Sequence, residues 1–173
     1  GVALQPVCPL RGGLGPAERR DPLGIPLGES FRRGPISPQQ GSRELANTLR
    51  ETGVACLKNG DKRRYLDFVR RAWQMYDRLG MTSEDQQVSP KVAQCARELG
   101  VAYFWNGDHR NELVYSLRAL QLYERVHERR DHFETAECLA ELATAYANNG
   151  DQASAAEYRQ RAELMRNNLN QTS

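Results

Sequence analysis

The chain has 173 residues, of which 39% are hydrophobic and 27% charged, and its formal net charge at neutral pH is +2. This length suits one domain with a hydrophobic core. The small net charge gives no reason to expect a nucleic-acid partner, and no apolar run approaches the roughly 20 residues that cross a bilayer.

Residues 1–41 differ in composition from the rest of the chain, because they hold seven of the eight prolines and eight of the fourteen glycines. They show neither helical nor strand periodicity, so the sequence predicts an irregular, extended arm that does not fold alone. Because the sequence does not begin with Met, we expect a fragment or a processed product.

From Ser42 onward the pattern is helical, with apolar residues recurring every three or four positions. Ser42 and the pair Ser89-Pro90 are predicted helix starts. Asp131, followed three residues later by Glu134, resembles a capping box with Asp131 as the N-cap. Strand-like alternation is absent from this part of the sequence. We therefore predict six helices, near 43–59, 62–79, 90–106, 109–129, 132–149 and 152–169.

The tripeptide Asn-Gly-Asp occurs three times, and its glycines, Gly60, Gly107 and Gly150, are separated by 47 and 43 residues. Asn and Gly tolerate the left-handed backbone that ends a helix. Asp is a preferred N-cap for the helix that follows. Each copy therefore predicts a helix-to-helix junction, and three copies indicate an internal repeat.

Small residues also recur at fixed distances from the three turns. They lie seven and five residues before each turn glycine and twelve residues after it. Small side chains at equivalent helix positions allow paired helices to approach closely. The three sets are Gly53, Gly100 and Ala143; Ala55, Ala102 and Ala145; and Ala72, Ala119 and Ala162.

The segments LGVAYFWNGDHRNELVYSLRALQLYERV and ELATAYANNGDQASAAEYRQRAELM resemble tetratricopeptide repeats. The long intervals between turns are similar to the repeats of kinesin light chains. The resemblance covers about residues 43–169 and implies an all-α fold. That fold is a right-handed α-solenoid of about three helix-turn-helix repeats over 42–173, whose first helices line a concave face. Tyr65 and Glu112 stand where the family usually has a small residue, and Glu112 predicts looser helix packing in the second repeat.

By this resemblance, a partner protein would lie along the first helix of each repeat. The candidate binding residues there are acidic, basic, apolar and aromatic, and they suit a peptide that is basic or carries an apolar side chain. An alternative interpretation is that Arg50–Glu98 and Arg97–Glu141 pair between adjacent repeats and hold the stack together. The candidates are Arg50, Glu51, Leu57, Arg97, Glu98, Phe104, Trp105 and Glu141.

A second candidate surface consists of arginines on the second helices. Acidic residues between them predict a solvated, salt-bridged face rather than a nucleic-acid site. The arginines are Arg63, Arg64, Arg70, Arg71, Arg125, Arg129 and Arg130.

The sequence predicts no catalytic, metal or cofactor site. The four cysteines, Cys8, Cys56, Cys95 and Cys138, form no C-x-x-C pair, so we expect free thiols in a reducing compartment, with those in the helices buried. Only His127 and His132 lie near one another, which is too few ligands for zinc. The motifs of phosphate loops and nucleophile elbows are absent.

Two non-enzymatic functions remain. The protein is an accessory subunit or scaffold of a larger assembly, or it is an adaptor that captures a linear peptide in its groove. We favour the first, because an ordered arm over 1–41 would need a partner surface to lie against. We expect an intracellular, reducing location in the cytoplasm, with the mitochondrial matrix as the alternative.

Overall fold

The computed structural model describes residues 38–83 and 88–171, with side chains from Gly41 onward. The predicted arm therefore lies outside the described residues, apart from its last four residues. Those four are helical, because the first helix begins at Pro38 rather than near Ser42. Proline is favoured in the first turn of a helix, where its missing N–H has no intrahelical partner to lose.

Six α-helices account for most of the described chain, as predicted, and no strand occurs in it. None of these helices has the length and apolar character needed to cross a bilayer. They are α1 (Pro38–Lys58), α2 (Lys62–Arg78), α3 (Pro90–Trp105), α4 (His109–Val126), α5 (Phe133–Asn148) and α6 (Gln152–Gln171).

The helices pack as three successive hairpins, α1–α2, α3–α4 and α5–α6. Adjacent hairpins are joined by packing of α2 on α3 and of α4 on α5. The two helices of each hairpin therefore pack against each other, and adjacent hairpins also pack against each other. This is the arrangement of an α-solenoid.

The Asn-Gly-Asp turns work largely as the sequence predicts. The three turn glycines have φ angles of 80°, 75° and 86°, which lie in the left-handed region that favours glycine. Each turn aspartate accepts a hydrogen bond from the backbone N–H three residues later and so caps the next helix.

The turn asparagines have a different role from the predicted one. Asn106 and Asn149 have φ of −97° and −88°, so they are not left-handed. The Asn106 Nδ2 group donates instead to the backbone oxygen of Lys62, at 3.1 Å, and Asn149 donates to that of His109, at 2.7 Å. Lys62 and His109 begin the second helix of the preceding hairpin, so these asparagines link one hairpin to the next.

Small residues allow the close helix packing that the repeat predicts. A Cβ atom added to Gly53 would lie 2.9 Å from Val69 Cγ2, and one added to Gly100 would lie 2.9 Å from Ser116 Oγ. The alanines twelve residues after each turn glycine are buried, as are Ala102 and Ala145. Ala55 is exposed, because no described hairpin precedes α1.

Tyr65 and Glu112, the two large residues at the normally small position, both lie inside the stack. Both are buried, with 2% and 4% of their surface exposed. Each reaches the following hairpin: the Tyr65 hydroxyl donates to the Glu98 backbone oxygen at 3.0 Å, and the Glu112 carboxylate accepts from Asn148 Nδ2 at 3.0 Å. The equivalent residue of the third hairpin is the small Ala155.

The predicted cap of α5 is wrong by one residue. His132 is the N-cap, and its Nδ1 accepts from the backbone N–H of Glu134 at 3.3 Å. Asp131 is used elsewhere, because its Oδ2 accepts a hydrogen bond from Asn168 Nδ2 at 2.9 Å.

Candidate functional site

Two arginine–glutamate pairs connect the first helices of adjacent hairpins. Arg50 Nη1 lies 2.6 Å from Glu98 Oε1, and Arg97 holds Glu141 through three hydrogen bonds of 2.7, 2.8 and 3.0 Å. Arg97 also lies 2.9 Å from Glu137. The structure therefore shows the geometry of the alternative interpretation, in which both pairs join one repeat to the next.

The two pairs differ in their environment. The Arg50 and Glu98 side chains are 9% and 14% exposed, whereas those of Arg97 and Glu141 are 26% and 33% exposed. Burial raises the pKa of the Glu98 carboxyl above its usual range, and Arg50 opposes this shift. The pKa of Arg97 is raised, chiefly by its hydrogen bonds to Glu141. Both glutamates therefore have a counter-charge within the stack.

A pocket of about 220 Å³ opens between α3 and α5, and residues of α4 also line it. We call it the α3–α5 pocket. Three of the predicted binding residues, Phe104, Trp105 and Glu141, contribute to its walls. The full lining is Gly100, Val101, Phe104, Trp105, Glu112, Ser116, Glu141 and Thr144.

Buried polar groups from α4 line part of this pocket. The Glu112 carboxylate lies 2.7 Å from His109 Nδ1 and accepts two hydrogen bonds from Asn148 Nδ2, at 3.0 and 3.2 Å. These partners fix the orientation of the carboxylate, because both of its oxygens are engaged. Gly100 leaves the space that Ser116 occupies.

Phe104 and Trp105 remain accessible at the mouth of the pocket, with 37% and 45% of their surface exposed. Their rings pack edge to face at 5.2 Å, and the Lys62 ammonium lies 4.2 Å from the Trp105 ring centre. Trp73, in contrast, is half-buried and packs edge to face on Tyr115 at 5.8 Å. An exposed aromatic pair beside a pocket is typical of an interface anchor.

The other predicted binding residues do not line this pocket. Leu57 is partly buried against the core. The Glu51 side chain is 66% exposed and lies 3.7 Å from Arg50. Five residues of the lining were not predicted, because their convergence depends on how α4 and α5 pack. Glu112 was noticed in the sequence only as an unusually large residue. The five are Gly100, Val101, Glu112, Ser116 and Thr144.

Several of the predicted surface arginines have acidic or carbonyl partners, and Arg129 and Arg130 lie after the end of α4 rather than on a second helix. Arg64 lies 3.4 Å from Asp61, Arg70 lies 3.4 Å from Asp67, and the Arg125 guanidinium donates to the Ser83 backbone oxygen at 3.4 Å. These contacts agree with the interpretation of this face as solvated and salt-bridged.

Cys95 and Cys138 are buried free thiols, as expected, whereas Cys56 is half-buried and Cys8 lies outside the described residues. Burial raises the pKa of both buried thiols, so they stay protonated and unreactive. Each thiol donates to a backbone oxygen of the preceding hairpin, at 3.8 Å, on Val69 and Ser116 respectively. These cysteines are structural contacts between repeats.

The family model described as tetratricopeptide repeat matches residues 92–134, which span α3, α4 and the start of α5. Residues 92–134 form a tetratricopeptide repeat. Repeats of this family are modules of protein–protein interaction. No curated protein matches the sequence.

The helical fold of the described chain is similar to that of solved structures, among them the following two. BtubC (BKLC) from P. vanneervenii has a TM-score of 0.64 at 22% identity, and the match covers 75% of this chain and 50% of BtubC. The TPR domain of Arabidopsis FLU has a TM-score of 0.57 at 18% identity, with 73% of this chain and 96% of that domain covered. The chain thus matches half the length of BtubC, and at these identities the likeness concerns the fold alone.

Proposed function

We propose that the protein captures an extended segment of a partner protein, without catalysing a reaction, and that one apolar side chain of this segment fills the α3–α5 pocket. The observation that supports this most is the exposed pair Phe104 and Trp105 at the mouth of that pocket. The pocket volume of about 220 Å³ is below the roughly 300–1,000 Å³ of typical small-molecule sites. It suits a single side chain better than a cofactor.

The charges beside the pocket change the kind of peptide that we expect. Glu98 and Glu141 are already paired with Arg50 and Arg97, so two of the three acidic binding candidates are largely neutralised. The third, Glu51, is exposed. An apolar anchor residue in the partner is therefore a stronger requirement than a basic one.

The test begins with selection of binding peptides from a random library displayed against the full chain. The affinity of the selected peptide is then measured for wild type, Trp105→Ala and Thr144→Trp. Thr144 is exposed and lines the pocket, so a tryptophan there fills the pocket without entering the core. Because loss of an anchor contact is typically worth about 2 kcal/mol or more, we expect each variant to lower the affinity at least about tenfold.

Gln160→Trp is the matched control, since Gln160 is an exposed residue of α6 and does not line the pocket. It should bind the peptide like wild type. Helical content by circular dichroism should be the same in all variants. Selected peptides that lack an apolar residue, or that bind Thr144→Trp as tightly as wild type, would contradict the proposed site.

The accessory-subunit function has separate support. Phe133 and Leu164 are large apolar residues with 60% and 62% of their surface exposed, and neither lines the pocket. Most of the arm that first favoured this function, residues 1–37, lies outside the described residues. If the subunit function is correct, Phe133→Ala with Leu164→Ala should release the protein from an assembly that co-purifies with it, whereas Thr144→Trp should not.

A further inference from the structure

The connection between α4 and α5 brings three potential metal ligands together. His127 follows α4 directly, His132 precedes α5, and Glu134 lies in the first turn of α5. Between the histidines, Glu128 and Arg129 take left-handed conformations, with φ of 51° and 58°. This turn stacks the two imidazole rings with their centres 3.5 Å apart.

The ligand atoms lie close enough together to reach one small cation after a side-chain rotation. His127 Nε2 lies 3.0 Å from Glu134 Oε2, and His132 Nδ1 lies 3.6 Å from the same oxygen. One ligand atom from each of the three residues lies within 4.8 Å of the others. Tetrahedral zinc, with bonds of about 2.1 Å, places its ligand atoms about 3.4 Å apart. The two measured separations are on either side of that value.

The surroundings of this cluster leave room for an ion and a fourth ligand. A cleft of about 360 Å³ is lined by residues of the connection, including both histidines, and is separate from the α3–α5 pocket. The His127 side chain is 15% exposed and its ring stacks on Tyr123 at 6.0 Å. His132 and Glu134 are 44% and 41% exposed. One ligand is thus held in place and two are accessible from solvent.

We propose that His127, His132 and Glu134 bind a divalent transition-metal ion of the zinc class, with water as the fourth ligand. Two imidazoles and one carboxylate form a common zinc ligand set. Imidazole ligands favour zinc, copper and nickel over magnesium and calcium. The sequence indicated only the two histidines, and Glu134 is the third ligand that the fold supplies.

Metal binding requires one histidine ring to turn. The two rings are parallel to within 9°, so their in-plane lone pairs cannot converge on one ion as they stand. His132 is the more exposed of the two and makes this movement, while His127 stays packed on Tyr123. In turning, His132 gives up the hydrogen bond that its Nδ1 accepts from the Glu134 N–H.

The experiment uses the full chain and zinc chloride alone, in isothermal titration calorimetry, with cobalt(II) as a spectroscopic substitute. We expect one zinc site of micromolar or tighter affinity. Cobalt(II) bound at this site should absorb visible light with the high intensity of four-coordinate cobalt. His127→Asn, His132→Asn and Glu134→Gln should each weaken zinc binding at least tenfold. Asparagine at 132 preserves an N-cap for α5, so a loss of binding would not reflect a loss of the helix.

Two variants serve as controls, His109→Asn on α4 and Glu128→Gln beside the cluster. Both should bind zinc like wild type, because neither residue belongs to the ligand set. Long-range nitrogen–proton spectra of the histidine rings should change at His127 and His132 and stay constant at His109. The proposal is overturned if wild type binds no zinc, or if any of the three ligand variants keeps the wild-type affinity.

Discussion

At the scale of single residues, equivalent positions in two of the three hairpins make the same kind of contact. The residue ten before the turn glycine is arginine in the first two hairpins, and each arginine pairs with a glutamate of the next hairpin. The residue twelve before it is a cysteine in the last two hairpins, and each thiol donates to the preceding hairpin. The third hairpin has Ala140 in place of the arginine. Residues that the sequence indicated as binding candidates therefore stabilise the stack.

The Arg50–Glu98 pair gives a test at this scale. Glu98→Leu should lower the free energy of unfolding by about 3–5 kcal/mol, because it leaves the buried Arg50 charge without its partner. The double variant Arg50→Met with Glu98→Leu should recover most of this loss, since it removes both buried charges. Urea unfolding followed by circular dichroism measures both values.

Arg64→Met is the control for this pair. The Arg64 side chain is 75% exposed, so its ion pair with Asp61 should contribute less than about 1 kcal/mol. The single variant Arg50→Met completes the comparison. A double variant whose loss equals the sum of the Arg50→Met and Glu98→Leu losses would show that Arg50 and Glu98 do not act as a pair.

At the scale of elements, the turns define where each hairpin folds back. The glycine is the residue that takes the left-handed conformation, the aspartate caps the next helix, and the last two asparagines link neighbouring hairpins. Nothing lies within 4 Å of a Cβ atom added to Gly107, so a substitution there tests backbone conformation without a steric clash.

Gly107→Ala should therefore lower the free energy of unfolding by about 1–2 kcal/mol, the penalty of a left-handed alanine. Gly107→Asn should lower it less, because asparagine tolerates this conformation. Chemical denaturation of the three proteins under identical conditions provides the comparison. Equal losses for Ala and Asn would mean that the φ of 75° is not maintained in solution.

The sequence predicted the helices because their turns and small residues repeat, but it could not give every boundary. α1 begins at Pro38, since proline is compatible with a first turn, and α4 ends at Val126, because Glu128 and Arg129 turn left-handed. Neither feature follows from apolar periodicity. The repeat register allowed the inter-repeat ion pairs to be predicted as an alternative, since both partners lie at fixed distances from the turns.

The pocket was predicted only in part for a related reason. Phe104, Trp105 and Glu141 lie on the first helices, where the family resemblance placed a partner. Glu112 and Ser116 come from the second helix of the hairpin, and their place in the lining depends on the small Gly100 opposite them. Likewise Glu134 joins the two histidines only once the α4–α5 connection has folded.

At the scale of the whole helical domain, the two contacts between hairpins are copies of one another. Each contact contains an arginine–glutamate pair and an asparagine that donates a hydrogen bond to the backbone oxygen of the first residue of a helix. Each also contains a cysteine thiol that donates to a backbone oxygen, and a buried polar residue of the earlier hairpin that forms a hydrogen bond with the later one. Such contacts between neighbouring hairpins fix the spacing between the first helices of these hairpins. The α3–α5 pocket exists because of this spacing, and we infer that it is where a partner side chain binds.

The most direct test of this claim is fluorine NMR of the full chain labelled with 5-fluorotryptophan and titrated with the library-selected peptide. The chain has two tryptophans, and Trp105 borders the pocket, whereas Trp73 packs on Tyr115. We predict that the Trp105 resonance shifts to saturation at the affinity measured independently, while the Trp73 resonance stays in place. A Trp105 resonance that does not move while the peptide binds would contradict the proposed site.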